Sequence, residues 1–592
     1  MKTAKISQKT FFISVCIFLL IASIAYAAYS FVPVTRGIPE TPDGIFPSSG
    51  DRENSYAWCM EELGGYLYVG SNRDLGYIVL MKSGLTSVDL LNSMDIPVPE
   101  ERDFCARIFR FKLDGSESWQ EVYRSPKTFV PEQYRSNAIL PFLDDEGCIP
   151  ADLGYRGIVS FKPEGSAVPY LYVSTIGLNQ ARVLRIDSNN PAAPQEVFKI
   201  TGATSSLRAM AVHEGALFLG VLKQGEDLQI LRSTNPEGNA SWEIVATKTD
   251  FPDARLDQQS VDYGGVWDMV SFHGALYAFI GSSYKGSPDD GFLVYKGTED
   301  SMSHWTWKAI VGDPEDGAIY PRGLGNRLNV TASPFVFNDH VYVGTFTDVI
   351  ASTKLLFSDL KNENPEAMNN FLTRLNPAQI YRFDQDDHWE LVIGDPEKQL
   401  FPEGWPDQSG KVFTQRLGNY GAGFFNPGIN QVLAGIDGNF SMNQYVWRME
   451  AHEGKLYATT FDLRTFAKYA EIFAPEESKE DLRKKLDQMA KVNDNPPGFD
   501  LYVSEDGVNW EPLMRNGFGD PTNYGGRTLK STASGLFVGT ANPFWGAQVW
   551  KVTETGQENA GGAAGGGGGC NSIGLMPFAF LLLIPFFCFR KK

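Results

Sequence analysis

One short phrase, a turn followed by alternating apolar residues, occurs seven times along the chain. It runs over Gly65–Gly70, Tyr170–Ser174, Gly215–Gly220, Gly274–Phe279, Asp339–Gly344, Gly454–Thr459 and Gly535–Gly539. Aromatic and β-branched residues at period two describe a strand with one face buried. A unit this small cannot bury that face alone, so the copies must pack on one another, and the repeat outranks any local propensity.

Each copy sits in a larger frame. An apolar strand precedes it, at Tyr56–Met60, Tyr155–Ile158, Leu207–Met210, Val266–Met269, Arg327–Val330, Val446–Met449 and Arg527–Leu529. A third strand follows in six units, carrying an apolar residue and then a base, as in Phe109–Arg110 or Tyr381–Arg382. A fourth opens at Trp119, Trp242, Trp307, Trp389 or Trp510. Four antiparallel strands repeated around an axis make a β-propeller, here of seven blades in an all-β fold. A sandwich would not need seven copies of one phrase, and solenoid repeats are shorter and more regular. The last unit stops at Lys551–Val552 without a fourth strand, but Phe31–Gly37 matches Trp510–Asn516, with Pro33 opposite Pro512. The N-terminal strand is therefore expected to close the last blade, removing the open edge.

The ends of the 592-residue chain read as addresses rather than fold. Lys2, Lys5 and Lys9 precede an apolar stretch from Phe11 to Ile24, and Ala25–Ala27 offers a small-x-small cleavage site, so residues 1–27 are expected to be a signal peptide cut after Ala27. The alternative is an uncleaved anchor. Cys16 has no lipobox around it. Residues 28–555 are the propeller and 556–570 a Gly-rich linker. Residues 571–592 are expected to be a membrane anchor or sorting tail, whose apolar stretch Ile573–Phe589 makes a helix of about 26 Å, near the lower limit for spanning a bilayer. Arg590, Lys591 and Lys592 would stay cytoplasmic, leaving the large domain outside.

Two stretches resemble known families. The glycine run, Cys570, the apolar segment and the basic end resemble Synerg-CTERM sorting signals, and more distantly the GlyGly-CTERM and MYXO-CTERM signals. The resemblance covers about the last 35 residues. It implies a Gram-negative-type bacterium, cleavage near Gly569 and Cys570 by a sorting protease, and anchoring at the cell envelope or surface. A permanent single-pass anchor is the plainer alternative. Ser504–Trp510 resembles the Asp-box turn of sialidase-type propellers, one residue short; that resemblance implies a structural hairpin and gives Asp506 no catalytic role.

Composition excludes several partners. A net charge of −19 leaves no basic footprint for a nucleic acid. Six histidines without an HExxH motif, and no paired-cysteine spacing, give no zinc site. Asp384, Asp386 and Asp387 do not have calcium-loop spacing. No metal or cofactor is expected. The ectodomain cysteines, Cys59, Cys105 and Cys148, allow at most one internal disulfide.

The topology points to a site. Loops from second to third strand, and from fourth strand to the next blade, share one face. That face receives every long insertion: Asn72–Phe104, Ser125–Gly154, Thr345–Ala378, Asp395–Gln444 and Phe461–Pro497. The last contains an expected amphipathic helix with Leu482, Leu486 and Met489 at helical spacing. The opposite face keeps tight turns, where the recurring histidines belong to turns. The channel mouth on the long-loop face should be lined by Trp58, Arg156, Arg208, Trp267, Arg327, Trp447, Arg448 and Arg527 from the innermost strands. Arg73, Asp348, Asp462 and Asn542 come from second-strand ends, with Phe544 and Trp545 beside them. Arginine forks suit carboxylates, and Trp stacks on sugar faces, although Trp on an innermost strand also packs between blades. The expectation is an exported binding protein for a glycan, peptide or protein partner. The alternative is a propeller hydrolase or lyase using Asp348 and Asp462 as acid and base. No motif names the ligand.

Overall fold

The computed structural model describes residues 28–34, 52–82, 88–99, 103–135, 139–252, 265–281, 291–326, 328–347, 378–394, 416–418, 443–467 and 496–555, with a few isolated positions. The signal and tail segments, Arg327, Asp348 and the three apolar residues of the expected helix lie outside them. Lys479, Glu480, Arg483 and Lys484 of that segment are helical. Among the described residues no helix is long and apolar enough to cross a membrane.

The compact unit runs from Tyr29 to Thr553. Antiparallel pairing groups its strands into seven sheets of four. Blade 1 is Tyr56–Leu63, Tyr66–Asn72, Arg107–Lys112 and Gln120–Arg124. Blade 2 is Gly154–Phe161, Tyr170–Gly177, Gln180–Ile186 and Gln195–Thr201. Blade 3 is Met210–His213, Ala216–Lys223, Gln229–Ser233 and Glu243–Thr247. Blade 4 is Val266–Phe272, Ala275–Ile280, Leu293–Glu299 and Trp305–Gly312. Blade 5 is Asn329–Phe337, His340–Thr347, Ile380–Phe383 and Trp389–Ile393. Blade 6 is Asn443–His452, Lys455–Asp462, Leu501–Ser504 and Glu511–Met514. Blade 7 is Gly525–Thr532, Gly535–Ala541, Val549–Thr555 and, from the other end of the chain, Ala28–Pro33. The first strand of each blade packs on that of the next, and the seventh on the first, so the sheets form a closed β-propeller.

The repeat phrase makes the packing. Its central aromatic is Tyr68, Tyr172, Phe218, Tyr277, Tyr342, Tyr457 or Phe537, and each is at most 2% exposed. Seven apolar cores result, one between each pair of neighbouring blades. The glycine ending four copies is required by the approach of the next blade. A Cβ on Gly70 would lie 2.7 Å from Tyr155, and one on Gly344 2.6 Å from Val446.

The outer strands are stapled as well. Trp119 Nε1 donates to Val34 O at 2.6 Å, joining blade 1 to the closing strand. Trp242 Nε1 donates to Val197 O and Trp307 Nε1 to Val245 O, each on the preceding blade. On the short-turn face His213 Nδ1 meets Ser271 Oγ at 2.8 Å, and His452 Nδ1 meets Ser531 Oγ at 2.9 Å. Asp506 accepts from the amides of Val508 and Asn509, forming a turn between third and fourth strands. Asp384 accepts likewise from Asp386 and His388, while Asp387 turns inward to Tyr277 and Lys296. Cys59, Cys105 and Cys148 are all free.

Candidate anion site on the propeller axis

Six of the seven innermost strands skip a residue at the same height, and the blade 3 chain opens at the corresponding place. The register skips Trp58, Arg156, Trp267, Val330, Trp447 and Arg527 in blades 1, 2, 4, 5, 6 and 7. In blade 3 the chain opens around Arg208, between the paired residues Ser206 and Met210. A bulge leaves its extra residue unpaired and re-aims the side chain. The bulges thus bring three arginines and three tryptophans, with Val330 as the seventh member, to one ring around the axis.

The ring pairs its members across blade boundaries. The Arg156 guanidinium lies over Trp58 at 4.7 Å, Arg208 over Trp267 at 3.2 Å and Arg527 over Trp447 at 5.3 Å. Each contact joins neighbouring blades and favours a cation on the ring face. Trp58 and Trp447 are themselves packed, each 7% exposed, over Gly154 and Gly525 of the following blades. Residues of the long loops, among them Ile78, Phe104, Phe142 and Phe466, join these tryptophans in one apolar cluster over the mouth.

The two sides of the axis differ in charge. Arg448, next to the blade 6 bulge, reaches Asp268 of blade 4 at 2.8 Å. Trp267 Nε1 donates to Tyr445 Oη at 3.0 Å, and Ser333 Oγ lies 3.0 Å from the same hydroxyl. Blades 4 to 6 therefore close their side with a connected polar network. On the other side Arg527 is 2% exposed, and its Nη1 has no hydrogen-bond partner among the described residues. Burial, then the charges of Arg448 and Arg156, pull Arg527 down to about 9, against Tyr445 and Tyr56. Arg208 is lowered well below its ordinary value by burial first and by Arg156 second, with Arg527 and Arg448 adding. Burial is the largest influence on Arg448 and opposes its charge, but Asp268, Tyr445 and Cys59 together outweigh it and the net direction is upward. Asp268 is the one carboxylate that pairs with Arg208, Arg448 or Arg527 among the described residues.

About 10 Å along the same strands, at ~3.3 Å per residue, the axis turns acidic. Lys530 Nζ meets Glu61 at 2.5 Å, and the Ser531 amide donates to Glu450.

Sequence reasoning thus placed Trp58, Arg156, Arg208, Trp267, Trp447, Arg448 and Arg527 on the axis together. It opened the blade 5 strand at Arg327; the strand begins at Asn329 and its ring residue is Val330. The residues taken from second-strand ends hold loops instead. Arg73 pairs with Glu53 and donates to Asp103 O. Asp462 is bound by Arg464 at 2.6 Å. Asn542 donates to Asp520, Thr522 and Asn523 and accepts from the amides of Phe544 and Trp545. Trp545 carries Arg52 over its ring at 3.9 Å. Tyr445, Asp268 and Ser333 were missed. Asp268 follows its ring residue as Arg448 follows Trp447, a parallel visible only once the bulges are known.

The fold and axis define a β-propeller with a cation-lined channel. No family description and no curated protein matches the sequence. Solved structures do resemble it. A Mycobacterium tuberculosis puromycin-hydrolysing peptidase matches at 8% identity and TM-score 0.37, over 84% of this chain and 52% of its own. The β-propeller domain of the Trilobed protease from Pyrococcus furiosus matches at 8% and 0.34, over 83% and 94%. The Streptococcus pneumoniae NanB sialidase matches at 11% and 0.26, over 41% and 32%. The chain spans about half the length of that peptidase and a third of that sialidase. At these values the likeness carries no functional argument, and the architecture rests on the strand pairing.

Proposed function

We propose that this is an exported, envelope-anchored binding propeller that recognises an anionic group of a glycan, peptide or protein partner on its long-loop face. The observation that carries the reading is the convergence of Arg156, Arg208, Arg448 and Arg527 on one axis, where Asp268 pairs with Arg448. Guanidinium forks recognise carboxylate, sulfate or phosphate oxygens by paired N–H donors. Export is supported by the N-terminal signal pattern, whose expected cleavage after Ala27 leaves Ala28, the first residue of the closing strand, at the new terminus. The tail pattern supports anchoring, with sorting-protease processing as part of the same proposal. A hydrolase reading loses one of its two carboxylates, since Asp462 is held by Arg464.

The test is binding of the full-length protein to glycan and peptide arrays, repeated with Arg527→Ala and Trp447→Ala after both variants are shown to melt cooperatively. Acidic ligands bound by the parent and lost in both variants support the reading. Binding unchanged in both removes the site.

A further inference from the structure

Arg527 is buried, with Arg208 and Arg448 half-buried near it, and that makes a demand that surface recognition alone does not meet. A guanidinium taken out of water without a partner is unfavourable, and like charges brought together add to the penalty. Arg527 carries a buried, unpartnered Nη1 on the axis, close enough to Arg448 and Arg208 for their charges to act on one another, with Tyr445 and Tyr56 also near Arg527. Asp268 answers one of these charges, through Arg448. The cation–π contacts of Arg208 and Arg527 offset part of the cost but use no N–H donor. On the blade 4–6 side Asp268, Tyr445 and Ser333 take up donors, so the unpartnered donor lies on the Arg527 side of the axis.

We infer that a small oxyanion, the size of sulfate, phosphate or a simple carboxylate, binds inside the channel between Arg208, Arg448 and Arg527, with Arg156 beside them. The site takes an ion with at least two acceptor oxygens, because the donors approach from different blades and a fork places two N–H groups on adjacent oxygens. The tetrahedral and planar ions share this chemistry, and separate arms of the test distinguish them. The inference rests on reading the arginine set as an anion site. It differs in placing the anion beneath the aromatic cluster, as a free ion without a macromolecule attached.

The experiment is a titration of full-length protein with sodium sulfate, sodium phosphate and sodium acetate at constant ionic strength, balanced with sodium chloride. Thermal melting and isothermal calorimetry are the readouts. The expected result is saturable stabilisation by at least one oxyanion, with one site per chain. Arg527→Met and Arg208→Met should each weaken that affinity at least tenfold. Arg527→Met should also melt at or above the parent temperature in chloride alone, because a buried, unsatisfied charge has gone; a purely structural arginine would leave a less stable variant. Equal effects of all salts, or variants that keep the oxyanion response, overturn the inference. If oxyanions bind and the arrays stay blank, the enclosed site stands and surface recognition fails. If array ligands bind but no oxyanion binds or competes, the enclosed site fails and the surface reading stands.

Discussion

Glu450 shows how the axis handles charge one residue at a time. Burial raises its carboxyl from 4.5 to about 7; Glu61 adds to the rise, while Lys530 and the Ser531 amide oppose it. The folded chain therefore holds this proton more tightly than the unfolded chain. The stabilisation it provides is complete below pH 4.5 and is lost as the pH climbs through about 7. Allowing for its partial exposure, the change is on the order of 2 kcal/mol. Glu450→Gln should flatten that part of the curve of urea midpoint against pH; an unaltered slope would place the proton elsewhere. Asp268→Asn tests the opposite case. It removes the carboxylate from the half-buried Arg448 and should destabilise the fold by about 2 kcal/mol in chloride, measured by urea unfolding; a loss under about 0.5 kcal/mol would mean the pair is solvated. Cys59 shows the limit of reading single residues: it lies near Arg527 and Arg448, yet burial pushes its thiol up to about 12, so it is an inert core group.

At the scale of elements, the second strands were legible because their aromatic must be buried against the next blade, and burial at period two leaves a mark in composition. The bulges left none. One extra residue in a strand changes neither hydropathy nor period enough to read, so Trp267 and Arg448 were visible as candidates while Asp268 and Tyr445 were not. The helices Leu75–Lys82 and Val88–Ser93 were missed for a related reason: they lie within one long insertion, where the apolar residues serve the cluster over the mouth rather than a repeat. Second-strand ends were misjudged because Arg73, Asp462 and Asn542 look like binding residues by type, but loops on that face need polar side chains to satisfy their own backbone. Gly525 tests the packing of the ring. A Cβ there would sit 1.9 Å from Trp447 Cζ3, so Gly525→Ala should cost about 3 kcal/mol by urea unfolding. A neutral result would mean that Trp447 is free to move and available to ligands.

For the whole molecule, closure joins the ends of the domain. The Val34 amide donates to Val549 O at 2.9 Å, Trp119 holds Val34 from blade 1, and Tyr29 and Phe31 pack into the core between blades 6 and 7. Deleting residues 28–34 should lower the melting temperature and speed amide exchange first in Val549–Thr555; uniform loss of protection in all blades would contradict a closing strand. Closure also fixes the axis, because the six bulges and the blade 3 opening form one ring only if the seventh blade packs on the first. The central claim is that this ring concentrates positive charge which an anion must answer. It is tested most directly by anomalous diffraction from crystals of the full-length protein grown with selenate. The account predicts a selenium peak about 3 Å from guanidinium nitrogens of Arg527 and at least one of Arg208 and Arg448, absent in crystals of Arg527→Met. Selenium confined to the surface, with a carboxylate of the chain's own loops lying between those arginines, would contradict it.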